Sequence, residues 1–492
     1  MKEEPLIFEK SVPGRTGATI PTCDVPEQPI RDLLPGVQLR EALPLPELSE
    51  LDVVRHYTRL SHRNYAIDLG FYPLGSCTMK YNPKAHEAIA RLPGLTRLHP
   101  MQDVAQVQGA LALIYAVEGA LAEIAGLEAA TIQPAAGAHG ELLSMMMIRA
   151  HYQSHGMERT VVLIPDSAHG TNPASAARCG FTVRSLPTDS RGLTDMQALK
   201  AGLSEQTAAL MLTNPNTLGL FESEVLEICR LVHEAGGLVY CDGANMNAIV
   251  GKARPGDMGF DVMHFNLHKT FSTPHGGGGP GCGAIAVGKT LAPYLPMPRV
   301  TRLSTGSYDW IRVGDHSVGR IHTFYGAFLV AVRAYAYLRT LGFEGLREVA
   351  ETAVLNANYV RARLASHYHI PYPERCMHEV VLSTSKQRSK NGVKALDISK
   401  RLMDYGFHPP TNYFPLIVPE AMMIEPTETE SKETLDAFCD AMIAIAEEAE
   451  TDPELVKNAP HSTVVGRLDE TAAVKQLDVR WRNVGDTVPT DS

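Results

Sequence analysis

The sequence predicts an α/β fold: a large domain with a mostly parallel sheet covered by helices, followed by a smaller α+β domain. Three observations carry that reading. Between residues 101 and 330, short apolar runs alternate with helical patterns, as strands joined by crossover helices should. Several of those runs stop abruptly at polar clusters. After about residue 330 the spacing lengthens to three helices framing two strands. The expected organisation is an N-terminal arm and covering segment over 1–100, a large α/β domain over 101–330, and a C-terminal α+β domain with a polar tail over 331–492.

The elements follow in order. The arm is rich in Pro and Arg and holds short helical patches such as RDLL and LDVVRHYTRLSHRNYAI. QVQGALALIYAVEGALAEIAG carries apolar residues at helical spacing and stops at Gly126. TVVLIPD reads as a buried strand. PASAARCG reads as a short helix with Thr171 and Asn172 at its cap, and TDMQALKAGL as a helix opened by a capping box from Thr194 to Gln197. AALMLTN, GGLVYCD and DVMHFNLHK are further strands, with SEVLEICRLVHEAGG a helix that closes on glycine. In the C-terminal part, GLREVAETAVLNANYVRARLASHY, ALDISKRLMDYG and SKETLDAFCDAMIAIAEEAE are helices, and HEVVLST and LIVPEAMMIEP are strands.

Composition excludes several classes of function. Lys+Arg 45 against Asp+Glu 55 leaves a formal net charge of −10, so no positive field exists to hold nucleic acid or an anionic membrane surface. No stretch is expected to cross a bilayer, which takes about 20 apolar residues. The 8 cysteines are scattered with no CxxC pair, which predicts free thiols, no zinc site and a reducing compartment. The N-terminus interleaves Glu and Lys with its few apolar residues and lacks a secretory core, so a cytoplasmic protein is expected, or one of an organelle matrix if a transit peptide has been removed.

In an open α/β sheet, ligands bind beyond the carboxyl ends of the strands. Four predicted strands end in chemistry. VVLIPD runs into Ser167, His169, Thr171 and Asn172, ALMLT into Asn214, GLVYC into Asp242 and Asn245, and MHFNL into His268 and Lys269. A fifth segment places Gly137, Ala138, His139 and Gly140 at a helix start, where free backbone N–H groups favour a phosphate. An amine, a carboxylate and a phosphate-ready helix start at one sheet edge suit pyridoxal 5'-phosphate. Lys269 would bind its aldehyde, and Asp242 would keep its ring nitrogen protonated. Each residue alone has an ordinary reading: a surface lysine, an Asp-Gly turn, a structural histidine beside a cap. Their convergence is the argument.

Three motifs are decoys. Gly283 to Thr290 matches GxxxxGK[ST], but its middle is an apolar β run. The run from His275 to Pro280 resembles an esterase oxyanion element, yet the chain has no G-x-S-x-G. His139 and Glu141 do not form an HExxH pair, and no metal site is expected.

At HFNLHKTFSTPHGGGGPG the sequence closely resembles the glycine-decarboxylating P-protein of the glycine cleavage system. DLGFYPLGSCTMKYNPK, QPAAGAHGE, SAHGTNPASAARCGF, YCDGANMNAIVG and TNYFPLIVPEAMMIEPTETESK look like that family's segments, in its order. The chain has the length of one half of the long form and is similar to subunit 2 of the two-subunit form. The resemblance implies the aspartate-aminotransferase-like fold (fold type I), with Lys269 as the Schiff-base lysine, Asp242 on the pyridine nitrogen and His169 stacked on the ring. Ala138, His139 and Gly140 would hold the phosphate, with Thr171, Asn214, Asn245 and His268 completing the cofactor site. GSCTMK, Gly75 to Lys80, would border that site, with an exposed turn as the alternative. The resemblance also implies glycine as substrate, a subunit-1 partner in a two-plus-two heterotetramer, and transfer of the aminomethyl group to the lipoyl arm of H-protein. T-protein and L-protein belong to the same system. Another PLP enzyme acting on a small amino acid, or a non-catalytic scaffold of the same fold, remain alternatives at this level.

Overall fold

The four apolar runs that end in chemistry form the middle of a seven-stranded sheet. Its strands are β1 (Ala129–Thr131), β2 (Val161–Pro165), β3 (Thr182–Leu186), β4 (Thr207–Thr213), β5 (Leu238–Gly243), β6 (Val262–Asn266) and β7 (Gly283–Val287), in the order β1-β7-β6-β5-β4-β2-β3. Strands β3, β2, β4, β5 and β6 are parallel, and β7 runs antiparallel to β1 and β6. This computed structural model describes residues 3–40, 43, 45–276, 279 and 281–482.

Both faces of the sheet are covered, which is why the central strands read as continuous apolar runs rather than alternating ones. In β4, Leu210 and Leu212 enter one core while Ala209 and Met211 enter another. Successive side chains point to opposite faces, and each face has its own helices. Helices Gln108–Ala125 and Val225–Glu234 supply Leu111, Ile114, Val117, Ile228 and Val232 to the first core. Helix Gly137–Ser154 brings Leu143, Met145, Met147 and Ile148 to the second. Helix Gln108–Ala125 ends at Gly126 with φ of 68°, a left-handed cap that favours glycine. By length and composition this helix is apolar enough to cross a membrane, contrary to expectation. Its buried stripe on the core accounts for that apolarity.

Beyond a hairpin of β8 (Arg299–Arg302) and β9 (Tyr308–Ile311), helix Phe328–Leu364 leads into the C-terminal part, broken at Gly342 where φ is 61°. The expected helix matches only the half after that break. A three-stranded antiparallel sheet follows, ordered β10 (Val380–Ser383), β12 (Ala421–Ile424), β11 (Thr411–Asn412). Its core joins Val360, Leu382, Met422, Phe438 and Met442 with Phe71.

Contacts divide the chain into Gly70–Ala459 and a second unit of residues 1–69 with 460–492, whereas the expected divisions fall after residues 100 and 330. In the second unit, Ser49 caps helix Glu50–Ser61 and the rings of Phe8 and Trp481 stack at 4.7 Å, which joins its N-terminal and C-terminal segments.

Local expectations also shift. The cap of helix Met196–Gly202 is Asp195, whose carboxylate accepts the Gln197 and Ala198 N–H groups, while the Thr194 N–H goes to Glu222. Thr171 and Asn172 lie inside helix Thr171–Arg178, after an N-cap at Gly170. All eight cysteines are free.

Candidate active site

Strands β6, β5, β4 and β2 are consecutive in the sheet, so the residues that follow them line up along one edge. A cavity of about 230 Å³ opens there. Lys269 (after β6), Asp242 (in β5), Thr213 (in β4) and His169 (after β2) all line it. The amine and the carboxylate that the sequence analysis paired therefore face one space.

Asp242 is built into the wall at 4% exposure. Asn172 Nδ2 donates to its Oδ2 at 2.8 Å and the Ala244 N–H to its Oδ1 at 3.1 Å. His264 Nδ1 lies 3.5 Å from Oδ1. Burial alone would raise the carboxyl's pKa, but His264, Asn172, Ala244 and Lys269 together hold it below the ordinary aspartate value. Glu141 behaves oppositely: burial, then the charge of Asp242, push it up. The wall thus keeps one carboxylate ionised beside a carboxyl that resists ionising. Thr171 Oγ1 donates to Glu141 Oε1 at 2.8 Å and lies 2.8 Å from His169 Nδ1. The Thr171 N–H donates to the same Nδ1 at 3.3 Å, so Thr171 fixes the orientation of the imidazole.

The imidazoles around Lys269 are kept neutral. Burial pushes His268 down to about 4 and His378 down to about 3, with Lys269 adding to both, and burial lowers His169 and His275 as well. No arginine is among the described residues of the lining.

The site fits pyridoxal phosphate on several counts. Helix Gly137–Ser154 starts at the cavity with Gly137 and Ala138 in its lining, presenting first-turn N–H groups. A Cβ on Gly137 would lie 2.6 Å from Asn266 Oδ1, so any other residue here would have to displace the Asn266 amide. Asn266 Oδ1 and Thr213 Oγ1 are buried in the lining with no hydrogen-bond partner among the described residues. Polar atoms left in this state are what a polar ligand satisfies.

Of the expected residues, the structure brings Lys269, Asp242, His169, Ala138, Thr171, Asn245 and His268 to the cavity. Three others turn elsewhere. His139 Nδ1 accepts the Ala135 N–H, and its ring lies 6.2 Å from that of His322. Gly140 packs the helix onto the sheet, where a Cβ would meet His264 Cβ at 3.2 Å. Asn214 Oδ1 accepts the Glu222 N–H beside the strand end. Sequence reading missed Glu141, His378 and Glu379, which also line the cavity. Ser76 and Cys77 of the GSCT segment do so too, carried there by a backbone bond from the Gly75 N–H to the Met423 carbonyl. Gly283–Val287 is a strand, which disposes of the P-loop match. Gly277, Gly278 and Pro280 of the glycine run lie outside the described residues.

Residues 139–296, which build the central sheet and most of the cavity wall, match the class-V aminotransferase family. The fold is also that of a crystal structure of glycine decarboxylase (P-protein) of the glycine cleavage system in inhibitor-bound form, with a TM-score of 0.69, 24% identity, and 85% of this chain and 93% of that one covered. Residues 349–462 match the glycine dehydrogenase C-terminal domain. A probable glycine dehydrogenase (decarboxylating) subunit 2 of Halalkalibacterium halodurans is 58% identical, covering 98% of this chain and 99% of that one. One of Shouchella clausii is 56% identical, with 99% of each covered. The chain belongs to the glycine dehydrogenase (decarboxylating) subunit 2 family.

Proposed function

We propose that this chain is the pyridoxal-phosphate-holding subunit of a glycine decarboxylase in the glycine cleavage system. The observation that carries the site assignment is Lys269 and Asp242 lining one cavity at the start of helix Gly137–Ser154. Bound pyridoxal phosphate supplies the electron sink that accepts the electron pair left when CO2 departs.

The chain's own residues do the rest. Lys269 would hold the aldehyde carbon, and the N–H groups at Gly137 and Ala138 would hold the phosphate. Asp242, kept ionised by its neighbours, keeps a proton on the ring nitrogen. His169 would lie against the ring, with Thr171 fixing its orientation. Losing CO2 discharges a carboxylate, so a wall of neutral imidazoles without an arginine favours the transition state over a firmly paired ground state.

The proposal extends to the partners. A subunit-1 chain completes a two-plus-two heterotetramer, and the lipoyl arm of H-protein accepts the aminomethyl group, with T-protein and L-protein acting downstream. Eight free cysteines fit a reducing compartment, and the proposal places the protein in the cytoplasm. The deciding experiment is exchange of labelled CO2 into glycine, with and without the partner subunit and a lipoylated carrier. Exchange that needs all three supports the proposal, and full exchange by this chain alone overturns the half-assembly.

A further inference from the structure

Glu379 directly precedes β10 and Glu425 directly follows β12. The antiparallel register pairs Val380 with Ile424, so the two glutamates are brought side by side where these strands end. Carboxylate oxygens of both, and a ring nitrogen of His378, lie within 4.8 Å of one another. Both carboxyls are buried, at 3% and 0% exposure. Glu379 lines the cavity that holds Lys269 and Asp242, and so does His378, whose Nδ1 is buried with no partner among the described residues.

The donors are unequally shared. Glu425 accepts from the Thr78 N–H at 3.1 Å, the Thr78 hydroxyl at 2.7 Å and Asn245 Nδ2 at 2.8 Å. Among the described residues, Glu379 accepts only the Ser76 N–H, at 2.9 Å. The titratable groups facing the pair are Lys269 beyond β6, His378, and the Cys77 thiol, which burial keeps protonated, while Lys80 is engaged by Glu428. Burial raises both carboxyls, and the charge of Glu425 raises Glu379 further. Two like charges this close and this buried do not both form, so Glu425, which has more hydrogen-bond donors, takes the charge and Glu379 keeps the proton. The donors around Glu425 occupy the lone pairs that a metal ion would need.

We propose that Glu379, paired with the charged Glu425, is the proton donor and acceptor for the exchange of glycine with Lys269 on the cofactor. This rests on the function proposed above. Glycine bonds through its neutral amine; Glu379 O–H then breaks as its proton bonds to the departing Lys269 nitrogen, and an N–H of the newly bonded, positively charged glycine nitrogen breaks and restores the Glu379 O–H. Proton count and charge on the pair end as they began.

The test uses the assembled holoenzyme and the cofactor's visible absorption band, followed after rapid mixing with glycine. E379Q should keep the band yet slow the glycine-induced change by about 100-fold or more, as loss of a positioned acid does, with E379D recovering part of the rate. The rate should fall as pH rises past the ionisation of Glu379, and E425Q should move that fall to lower pH by removing the like-charged neighbour. An E379Q rate within about 3-fold of the parent, with the same pH profile, overturns the proposal. Should E379Q fail to fold, an unmoved profile in E425Q overturns it alone, and a stoichiometric divalent ion that E425Q removes does so too. A band that survives K269A would instead sink the site assignment, which keeps the two failures apart.

Discussion

The cavity is built from two regions that differ in how the chain delivers their residues. One region is the row of strand ends after β2, β4, β5 and β6, each emerging from a buried apolar run straight into a polar residue. The other is assembled from Ser76, Cys77, His378 and Glu379, which reach the site through the segment that bonds to Met423 and through the start of β10. In the first, local sequence determines position, because a parallel strand points its carboxyl end at the ligand edge. In the second, position depends on antiparallel pairing and on contacts about 300 residues apart, such as the Ser76 N–H on Glu379. Chemistry at strand ends is readable one strand at a time, whereas chemistry on the second region needs the fold.

The largest effect should come from the strand-end region. Lys269→Ala removes the amine that anchors the cofactor, so the purified protein should lose its absorption band after dialysis and show no measurable CO2 exchange. Persistence of the band would mean that another amine serves, and the comparison of regions would fail at its first residue. Asp242→Asn keeps the shape and the Ala244 N–H but removes the charge that holds the ring proton. Cofactor should remain bound while exchange of labelled CO2 into glycine falls by about 100- to 1000-fold, the scale of losing one preorganised electrostatic contact. Undiminished exchange would refute the role of that carboxylate.

A smaller effect should follow from Gly137→Val. Its branched side chain would crowd Asn266, where even a Cβ lies 2.6 Å from Oδ1, and would push the helix start away from the phosphate. Cofactor affinity should weaken by about tenfold or more, roughly 1.4 kcal/mol. Equilibrium dialysis would measure it. The same substitution at Gly109, where a Cβ has nothing within 4 Å, should leave cofactor affinity unchanged and serves as the control.

What could be read in advance follows the same division. Strands β2, β4, β5 and β6 were visible because both their faces are buried, giving unbroken apolar runs. Strand β3 was not, since only Leu186 of its five residues is buried, and β1 has three residues. Such strands are specified by their neighbours rather than by their own pattern. Lys269, Asp242 and His169 stood out as polar residues closing apolar runs. Glu141 lay hidden inside a helix pattern, and Glu379, the second residue of the expected strand HEVVLST, carried no local sign that its carboxyl is 3% exposed. His139 and Gly140 misled because a helix start offers several N–H groups while the helix must also pack, and Gly140 does the packing.

Glu118 provides the smallest effect and separates pH dependence of the cavity from pH dependence of the fold. It lies on helix Gln108–Ala125, accepts the Ile132 N–H at 3.2 Å and does not line the cavity. Burial raises it from 4.5 to about 7, against the pull of Arg299. For a carboxyl raised on folding, the unfolded chain releases its proton first. The stability that Glu118 contributes is therefore complete below pH 4.5 and is lost as pH rises through about 7. Glu118→Gln keeps an acceptor for Ile132 and removes the titration, so it should be more stable than the parent at pH 8, by on the order of 1–2 kcal/mol, and gain nothing at pH 4.5. Denaturant midpoints at the two pH values measure this, and an equal shift at both would show that Glu118 does not titrate with folding. The cofactor band and the glycine-induced change should be identical to the parent's at every pH. A carboxyl that alters stability with pH while leaving the band untouched is the standard against which Glu379, in the cavity wall, is to be judged.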